Sequence, residues 1–249
     1  MQHKTLILSG VLVHVTQELE REGPVYLLLH GRWADRNSFQ TIIKSLDREK
    51  KARIAMDLPG FGQSATPPKN WWVKEYAECV YAYIQKIWLS LLDKNSFVLV
   101  WHSFGWQIAL YMTQIIERDR LNAIILLAPA GIRKVENGIW SILKKHVIGF
   151  AKKIVSQKLQ NNLKQRIGSS DYLLKPQLED IFKRVIQEDL SNLLPNVVTP
   201  TYLVFAQDDQ DVPVEDGKTM NQLIPNSKLV LIPWGHWDVL QFEITTLWN

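Results

Sequence analysis

The sequence predicts an α/β fold, in which a mainly parallel sheet carries helices on both faces, and three observations support this prediction. Continuous apolar runs of strand length recur along the chain, as is typical of strands that are buried on both sides. Amphipathic stretches with helical periodicity follow most of these runs, and turn-forming residues separate them. The alternation stops between residues 131 and 199, where an insertion is expected.

The first half of the chain alternates strands with helices. Alternating apolar residues at 11–15, and the hydrophobic run before them, indicate the opening strands of the sheet. Further strands are predicted at residues 25–30, 52–57, 96–101 and 123–128. Helices are predicted at residues 38–46, 73–92 and 107–112. Strands and helices in this order form parallel sheets with right-handed crossovers.

The second half interrupts this order and then resumes it. Residues 133–196 show helical stripes of apolar residues and no strand pattern. After Pro200, strands are predicted at residues 201–206 and 228–232, and helices at residues 215–223 and 239–247. The sequence therefore predicts a core formed by residues 1–130 and 200–249, with a helical insertion at residues 131–199.

The composition is that of a globular protein with one core. Of the 249 residues, 46% are apolar and 22% are charged. Cys79 is the single cysteine, so neither an internal disulfide nor an oxidising compartment is implied. No apolar run approaches the roughly 18 residues that a membrane-spanning helix needs. We therefore expect a cytoplasmic protein without a membrane span.

Ser103 stands where a predicted strand meets a predicted helix. The apolar run at residues 96–101 leads through His102-Ser103-Phe104-Gly105 into the helix. A sharp turn at such a place lifts the serine oxygen above the sheet edge. The backbone N–H groups that follow then lie at a helix N-terminus and face any developing oxyanion. The junction therefore has the features of a nucleophile elbow.

This junction resembles the G-x-S-x-G elbow of the α/β-hydrolase family, and the resemblance extends over nearly the whole chain. Gly105 matches the last glycine of the motif, but Trp101 stands where the first glycine is usual. The Trp101 indole must turn aside, either because the elbow is re-angled or because its neighbours are small. The resemblance implies an eight-stranded, mainly parallel α/β-hydrolase sheet, with a helical cap at residues 131–199.

The resemblance also implies a triad in the order serine, acid, histidine, each on a loop that follows a strand. His236 lies in the loop after the last predicted strand and is expected to be the base. In the loop before it, Asp209 aligns with the acid of the family, while Asp208 and Asp211 remain alternatives. Aspartates at this place could also serve only to cap the helix that follows.

Several other residues receive structural roles from the same resemblance. The oxyanion hole is expected to use the backbone N–H groups of Phe104 and Arg32. His30 is expected to hold the turn before Arg32 by hydrogen bonding, and His102 is expected to point away from the Ser103 oxygen. Asp57 begins a glycine- and proline-rich loop and is expected to be a structural acid.

Together these features predict a serine hydrolase of carboxylic esters that works through an acyl-enzyme. Ten tryptophans suggest an apolar pocket for small to medium acyl groups, with Trp33 and Trp237 as candidate lining residues. Lactone hydrolysis and carbon–carbon bond hydrolysis by the same triad remain open, as does a non-catalytic ligand-binding protein. No cofactor is expected, and no metal site either, because no histidine pair has ligand spacing.

Basic residues are concentrated in the predicted cap. Residues 131–199 contain twelve Lys or Arg against six Asp or Glu, whereas the rest of the chain contains seventeen against nineteen. This excess fits a solubilising helix face, or a surface for an acidic protein partner such as a carrier of acyl esters. Nucleic-acid binding is not indicated, because no basic motif with base-reading residues is present.

Overall fold

The computed structural model describes residues 1–32, 34–69, 71–88, 96–130, 178, 181, 184, 188–233 and 235–248. Within them, eight strands form one sheet in the order β1-β2-β4-β3-β5-β6-β7-β8. The strands are β1 (Gln2–Leu8), β2 (Val11–Glu18), β3 (Val25–Leu29), β4 (Arg53–Met56), β5 (Phe97–His102), β6 (Leu121–Leu127), β7 (Thr201–Ala206) and β8 (Ser227–Ile232). β1 pairs with β2, and β2 with β4, in antiparallel fashion, and the remaining pairs are parallel. The predicted fold class is confirmed.

Burial along each strand follows its place in the sheet. Every residue of β3, β4 and β5 is buried, because helices cover both faces of the central strands. In β2 the odd-numbered residues are buried, as the alternating sequence predicts for a strand with one covered face. Ser9 and Gly10 join β1 to β2 with φ angles of 47° and 77°, which suit a two-residue hairpin turn.

Along the described ranges, four α-helices with defined bounds lie on the two faces of the sheet: α1 (Gln40–Arg48), α2 (Val73–Trp88), α3 (Trp106–Ile115) and α4 (Val214–Leu223). Apolar side chains of α2, α3 and α4 form one core against the sheet. A second core lies on the opposite face, where α1 packs with the C-terminal segment. None of the helices in the described part of the chain is long and apolar enough to cross a membrane.

The helix predicted at residues 239–247 is wrong. The chain instead forms two short 3₁₀ helices, Asp238–Gln241 and Ile244–Trp248, and Phe242 between them is extended. Three β-branched residues in a row begin the second helix, and their stiff side chains disfavour an α-helix. Val239 and Ile244 nevertheless reach the core on the α1 face, as the apolar spacing predicted.

Most of the predicted cap lies outside the described residues, so the division at 131–199 stays a prediction. Leu178 and Ile181 are buried against the core on the α2 and α3 face. Glu188, near the end of the segment, contacts α3: its carbonyl accepts a hydrogen bond of 2.8 Å from the Gln107 side chain. Tyr111 donates another of 2.8 Å to the Glu188 carboxylate. The chain therefore returns to the core along α3.

Candidate active site

The predicted catalytic residues lie on loops at one edge of the sheet. Parallel strands end at the same edge, and ligand sites of α/β sheets lie outside it. Ser103 follows β5 directly, whereas Asp209 and His236 follow β7 and β8. The loop that carries Arg32 follows β3, which is hydrogen-bonded to β5. The topology thus brings residues that are distant in sequence to one edge.

Ser103 has a left-handed backbone. Its φ is 53°, a value that residues other than glycine rarely adopt. It opens the 3₁₀ turn Ser103–Gly105, which continues into α3. Such local strain is typical of the sharp reversal at a nucleophile elbow. N–H groups at the start of a helix have no intrahelical partner and can bind an anion.

Gly105 makes room for the tryptophan that replaces the first glycine of the elbow motif. A Cβ added to Gly105 would lie 2.8 Å from Cε3 of Trp101. The Trp101 indole is fully buried in the core beside α2 and α3. A small neighbour therefore accommodates its bulk, which is one of the two possibilities left open by the sequence. Trp106 is buried too, and its indole N–H donates to the Ala130 carbonyl.

Asp209 and His236 form a hydrogen-bonded pair. His236 Nδ1 lies 2.7 Å from Asp209 Oδ2, and the Asp209 side chain is fully buried. Asp209 Oδ1 accepts hydrogen bonds of 2.8 Å from the backbone N–H groups of Asp211 and Val212. Because a carboxylate only accepts, Nδ1 of His236 carries the proton, and Nε2 of a neutral ring can act as a base. The two alternatives, Asp208 and Asp211, are exposed, so the geometry favours Asp209 as the partner of His236.

One group of side chains in the described ranges has the proximity of metal ligands. Ligand atoms of Asp209, Asp211 and His236 lie within 4.8 Å of one another. Both carboxylate oxygens of Asp209 already accept hydrogen bonds, one from His236 and one from two backbone N–H groups. The hydrogen bonds account for the positions of Asp209 and His236 without a metal ion, and the Asp211 carboxylate is exposed.

His30 joins the loops that follow β3 and β4. Its Nδ1 donates to the Gly31 carbonyl at 2.8 Å, and its Nε2 accepts a hydrogen bond of 3.0 Å from the Leu58 backbone. The ring is therefore neutral, and burial lowers the pKa of His30 below its ordinary value. A Cβ on Gly31 would lie 2.8 Å from Cβ of Ser103. The loop before Arg32 thus lies directly against the candidate nucleophile.

Arg36 holds Asp57 in a buried ion pair that sequence reasoning missed. The Asp57 carboxylate accepts hydrogen bonds from the backbone N–H groups of Arg36 (2.8 Å) and Gln63 (2.9 Å), and from the Arg36 guanidinium. Arg36 also donates to the Gln63 side chain at 2.8 Å. A buried acid needs a partner, which is the signal that could have pointed to a nearby arginine. Asp57 organises two loops, in keeping with the structural role expected for it.

Two aromatic rings contact the ring of His236. The ring centroid of His102 lies 5.3 Å from that of His236, and the centroid of Trp237 lies 5.5 Å from it. Trp237 is 49% exposed, so part of its apolar surface is open to a ligand. Trp33 and the side chain of Phe104 lie outside the described residues. Contact between His102 and the predicted base was not foreseen from the sequence.

Comparison with known proteins identifies relatives of this fold. A family model described as alpha/beta hydrolase fold matches residues 24–167. The uncharacterised hydrolase YugF of Bacillus subtilis is 28% identical over 246 residues, covering 89% of this chain and 86% of that protein. The pimeloyl-[acyl-carrier protein] methyl ester esterase of Pseudoalteromonas atlantica is 29% identical over 146 residues, covering 58% of this chain and 50% of that protein.

Solved structures show the same architecture at lower sequence identity. The esterase EaEST from Exiguobacterium antarcticum has a TM-score of 0.71 and 20% identity, covering 94% of this chain and 92% of its own. At this identity the likeness concerns the fold. Chemistry must be argued from the residues at the sheet edge.

Proposed function

The chain belongs to the alpha/beta hydrolase fold family, and from this premise we propose that it is a serine hydrolase of carboxylic esters. One observation carries the proposal. A left-handed serine at the end of β5 shares a sheet edge with a histidine whose Nδ1 is bound by a buried carboxylate. Serine hydrolases need this combination, because an unactivated hydroxyl is a weak nucleophile.

In the proposed reaction, Ser103 Oγ attacks the ester carbonyl while His236 Nε2 takes its proton. The tetrahedral intermediate then collapses, the bond to the alcohol oxygen breaks, and His236 gives its proton to the departing alcohol. A water molecule, deprotonated by His236, attacks the acyl-enzyme. The bond between the acyl carbon and Ser103 Oγ then breaks, His236 returns the proton to Oγ, and the acid is released. Asp209 keeps the imidazole in the tautomer that this sequence of proton transfers requires.

The oxyanion formed at each step would be bound by the N–H groups of Phe104 and Arg32. Phe104 follows the serine in the turn that leads into α3, and Gly31 packs against Ser103 just before Arg32. Both observations support donors on either side of the reacting carbonyl. Loss of one such donor typically lowers the rate by about 10²–10³-fold.

The substrate we propose has a small to medium apolar acyl group. The exposed part of Trp237 beside His236 supports an apolar pocket wall. We propose Trp33, which comes after β3 in the sequence, as a second lining residue. The proposed mechanism uses no cofactor and no metal. Lactones and carbon–carbon bonds next to a ketone would use the same residues, so the range of substrates must be measured.

A fluorophosphonate probe tests the nucleophile. We expect labelling of the wild-type protein to map to Ser103 by mass spectrometry and to be lost in Ser103→Ala and His236→Ala. His14→Ala is the matched control, because His14 lies on β2 and hydrogen-bonds Thr5 away from the site. p-Nitrophenyl esters of graded chain length then report the depth of the pocket. Absence of labelling in the folded wild-type protein would contradict the proposal and favour a ligand-binding protein.

An ester carried by an acidic acyl-carrier protein is the second candidate substrate. The observation in its favour is the excess of basic residues at 131–199, together with a relative named for a carrier-protein methyl ester. Opposite charges attract over about 10 Å at about 0.1 M salt, and over shorter distances as the salt concentration rises. We expect kcat/KM for a carrier-linked methyl ester to fall steeply with salt, while that for a neutral p-nitrophenyl ester changes little. Equal salt dependence would count against this candidate.

A further inference from the structure

His102 lies in a cluster of three aromatic rings at the site. Its ring centroid is 5.3 Å from that of His236 and 5.3 Å from that of Trp237, with the planes tilted by 44° and 49°. His236 and Trp237 also contact each other, with centroids 5.5 Å apart. We call His102, His236 and Trp237 the three-ring cluster. His102 is its fully buried member and the residue next to Ser103.

The same ring also reaches the loop that follows β3. A Cβ added to Gly31 would lie 2.8 Å from His102 Nδ1 and 3.0 Å from the His102 carbonyl oxygen. His102 is therefore joined by a peptide bond to the nucleophile, lies in ring contact with the base, and packs against the loop before Arg32. Few single side chains could set the relative positions of all three parts.

The polar nitrogens of the His102 ring contribute little to the stability of the fold. Within the described part of the chain neither of its nitrogens makes a well-formed hydrogen bond, although both are buried and the backbone of His236 lies beside the ring. Burial and the nearby His236 lower the pKa of His102 to about 3, so the ring is neutral at physiological pH. A neutral neighbour does not repel the charge that His236 gains when it takes a proton. Buried polar groups without partners are typical of functional positions.

We propose that His102 is a positioning residue, whose flat, uncharged ring holds His236 and the Gly31 loop in register with Ser103. It acts through these neighbours and does not contact the substrate. The inference rests on the proposed function, since it concerns the same triad. It places part of the site's alignment in the sheet itself, because His102 is the last residue of β5.

Two substitutions at one position test the role of the ring. His102→Leu removes the flat ring, whereas His102→Phe keeps a flat, uncharged ring, slightly larger than imidazole, and removes the nitrogens. For His102→Leu we expect kcat for a p-nitrophenyl ester and the rate of fluorophosphonate labelling to fall on the order of 10²-fold, with KM nearly unchanged. His102→Phe should recover most of both rates, because the contact surfaces remain.

Val100→Ala is the matched control for a purely structural effect. Val100 is buried in β5, two residues earlier and on the same face, away from the three-ring cluster. We expect it to lower the melting temperature and to leave kcat and labelling unchanged. The melting temperatures of all three variants establish that the proteins compared are folded.

The outcomes separate this inference from the proposed function. Failure of the wild-type protein to react with the probe would remove the proposed function, and this inference with it. Labelling and turnover at the wild-type rate in folded His102→Leu would overturn only the role of His102. A folded His102→Phe that is as impaired as His102→Leu would overturn it too. If His102→Leu does not fold, His102→Phe decides alone: near wild-type kcat supports the role, and lost kcat contradicts it.

Discussion

Asp209 performs two tasks with one carboxylate. Its Oδ1 accepts from two backbone N–H groups in its own turn, while its Oδ2 binds His236. From the sequence, a capping role and a catalytic role for these aspartates were competing interpretations. The following helix, α4, begins after Pro213 without a side-chain cap, so helix capping by these aspartates is not observed. Asp209 instead closes its own turn through Oδ1, and this turn directs Oδ2 towards His236. Such a division of oxygens depends on backbone geometry and could not be predicted from three neighbouring aspartates.

Asp209→Asn tests the orienting task. The amide can offer only one acceptor oxygen, so either the turn or the His236 contact must lose its partner. We expect kcat to fall on the order of 10⁴-fold, as the wrong histidine tautomer becomes favoured. Steady-state kinetics on a p-nitrophenyl ester measure the effect. Asp208→Asn is the control, since Asp208 is exposed, and a comparable loss there would refute the assignment of the acid.

At the scale of single elements, the elbow accommodates a bulky residue, Trp101, at a position where the family motif has glycine. The sequence placed Ser103 at a strand-to-helix turn but left the consequence of Trp101 open. The structure resolves it through Gly105, whose missing Cβ leaves space for the indole. The buried strands were predictable from their apolar runs. The C-terminal 3₁₀ helices were not, because apolar spacing alone does not distinguish them from an α-helix.

The contact between Trp101 and Gly105 gives a prediction about the elbow. Gly105→Ala would press a methyl group into a rigid, buried indole, so we expect a loss of about 1–3 kcal/mol in the free energy of unfolding. Urea denaturation measures it. Adding Trp101→Leu should reduce the cost of the alanine, because the ring that clashes is gone. Additive effects of the two substitutions would show that Gly105 is needed for another reason.

At the scale of the whole molecule, the sequence predicted which residues lie at one edge of the sheet, but not the contacts that their loops make there. The order of strands and helices followed from hydrophobic periodicity, and with it the shared edge at which Ser103, Asp209 and His236 lie. Contacts made across that edge, such as Arg36 with Asp57, join loops of different strands. No local pattern encodes them, because each depends on how two loops meet.

Two buried neutral histidines also make the stability of the whole fold depend on pH. The pKa of His30 is lowered, and that of His102 is lowered to about 3, from an ordinary value of about 6.5. Below about pH 6.5 the unfolded chain binds protons that the folded chain excludes. The stabilisation is therefore complete above that pH and is lost as the pH falls from 6.5 towards 3.

The histidine contribution can be isolated with His102→Phe. We compare the free energy of unfolding of the variant with that of the wild type. As the pH falls below about 6.5, we expect this difference to change in favour of the variant by up to about 1.4 kcal/mol for each pH unit. Urea denaturation between about pH 7.5 and about pH 5 supplies the comparison. Parallel pH profiles for the two proteins would mean that the pKa of His102 is the same in the folded and the unfolded chain.

The left-handed backbone of Ser103 implies a trade-off between activity and stability. Among residues other than glycine, a positive φ costs about 1–2 kcal/mol, whereas glycine adopts it freely. Alanine is usually the more stabilising of the two small residues. At position 103 we expect the reverse, with Ser103→Gly melting at a higher temperature than Ser103→Ala, although both lack the nucleophile. The serine would then mark a site where selection for chemistry has overridden selection for a stable chain.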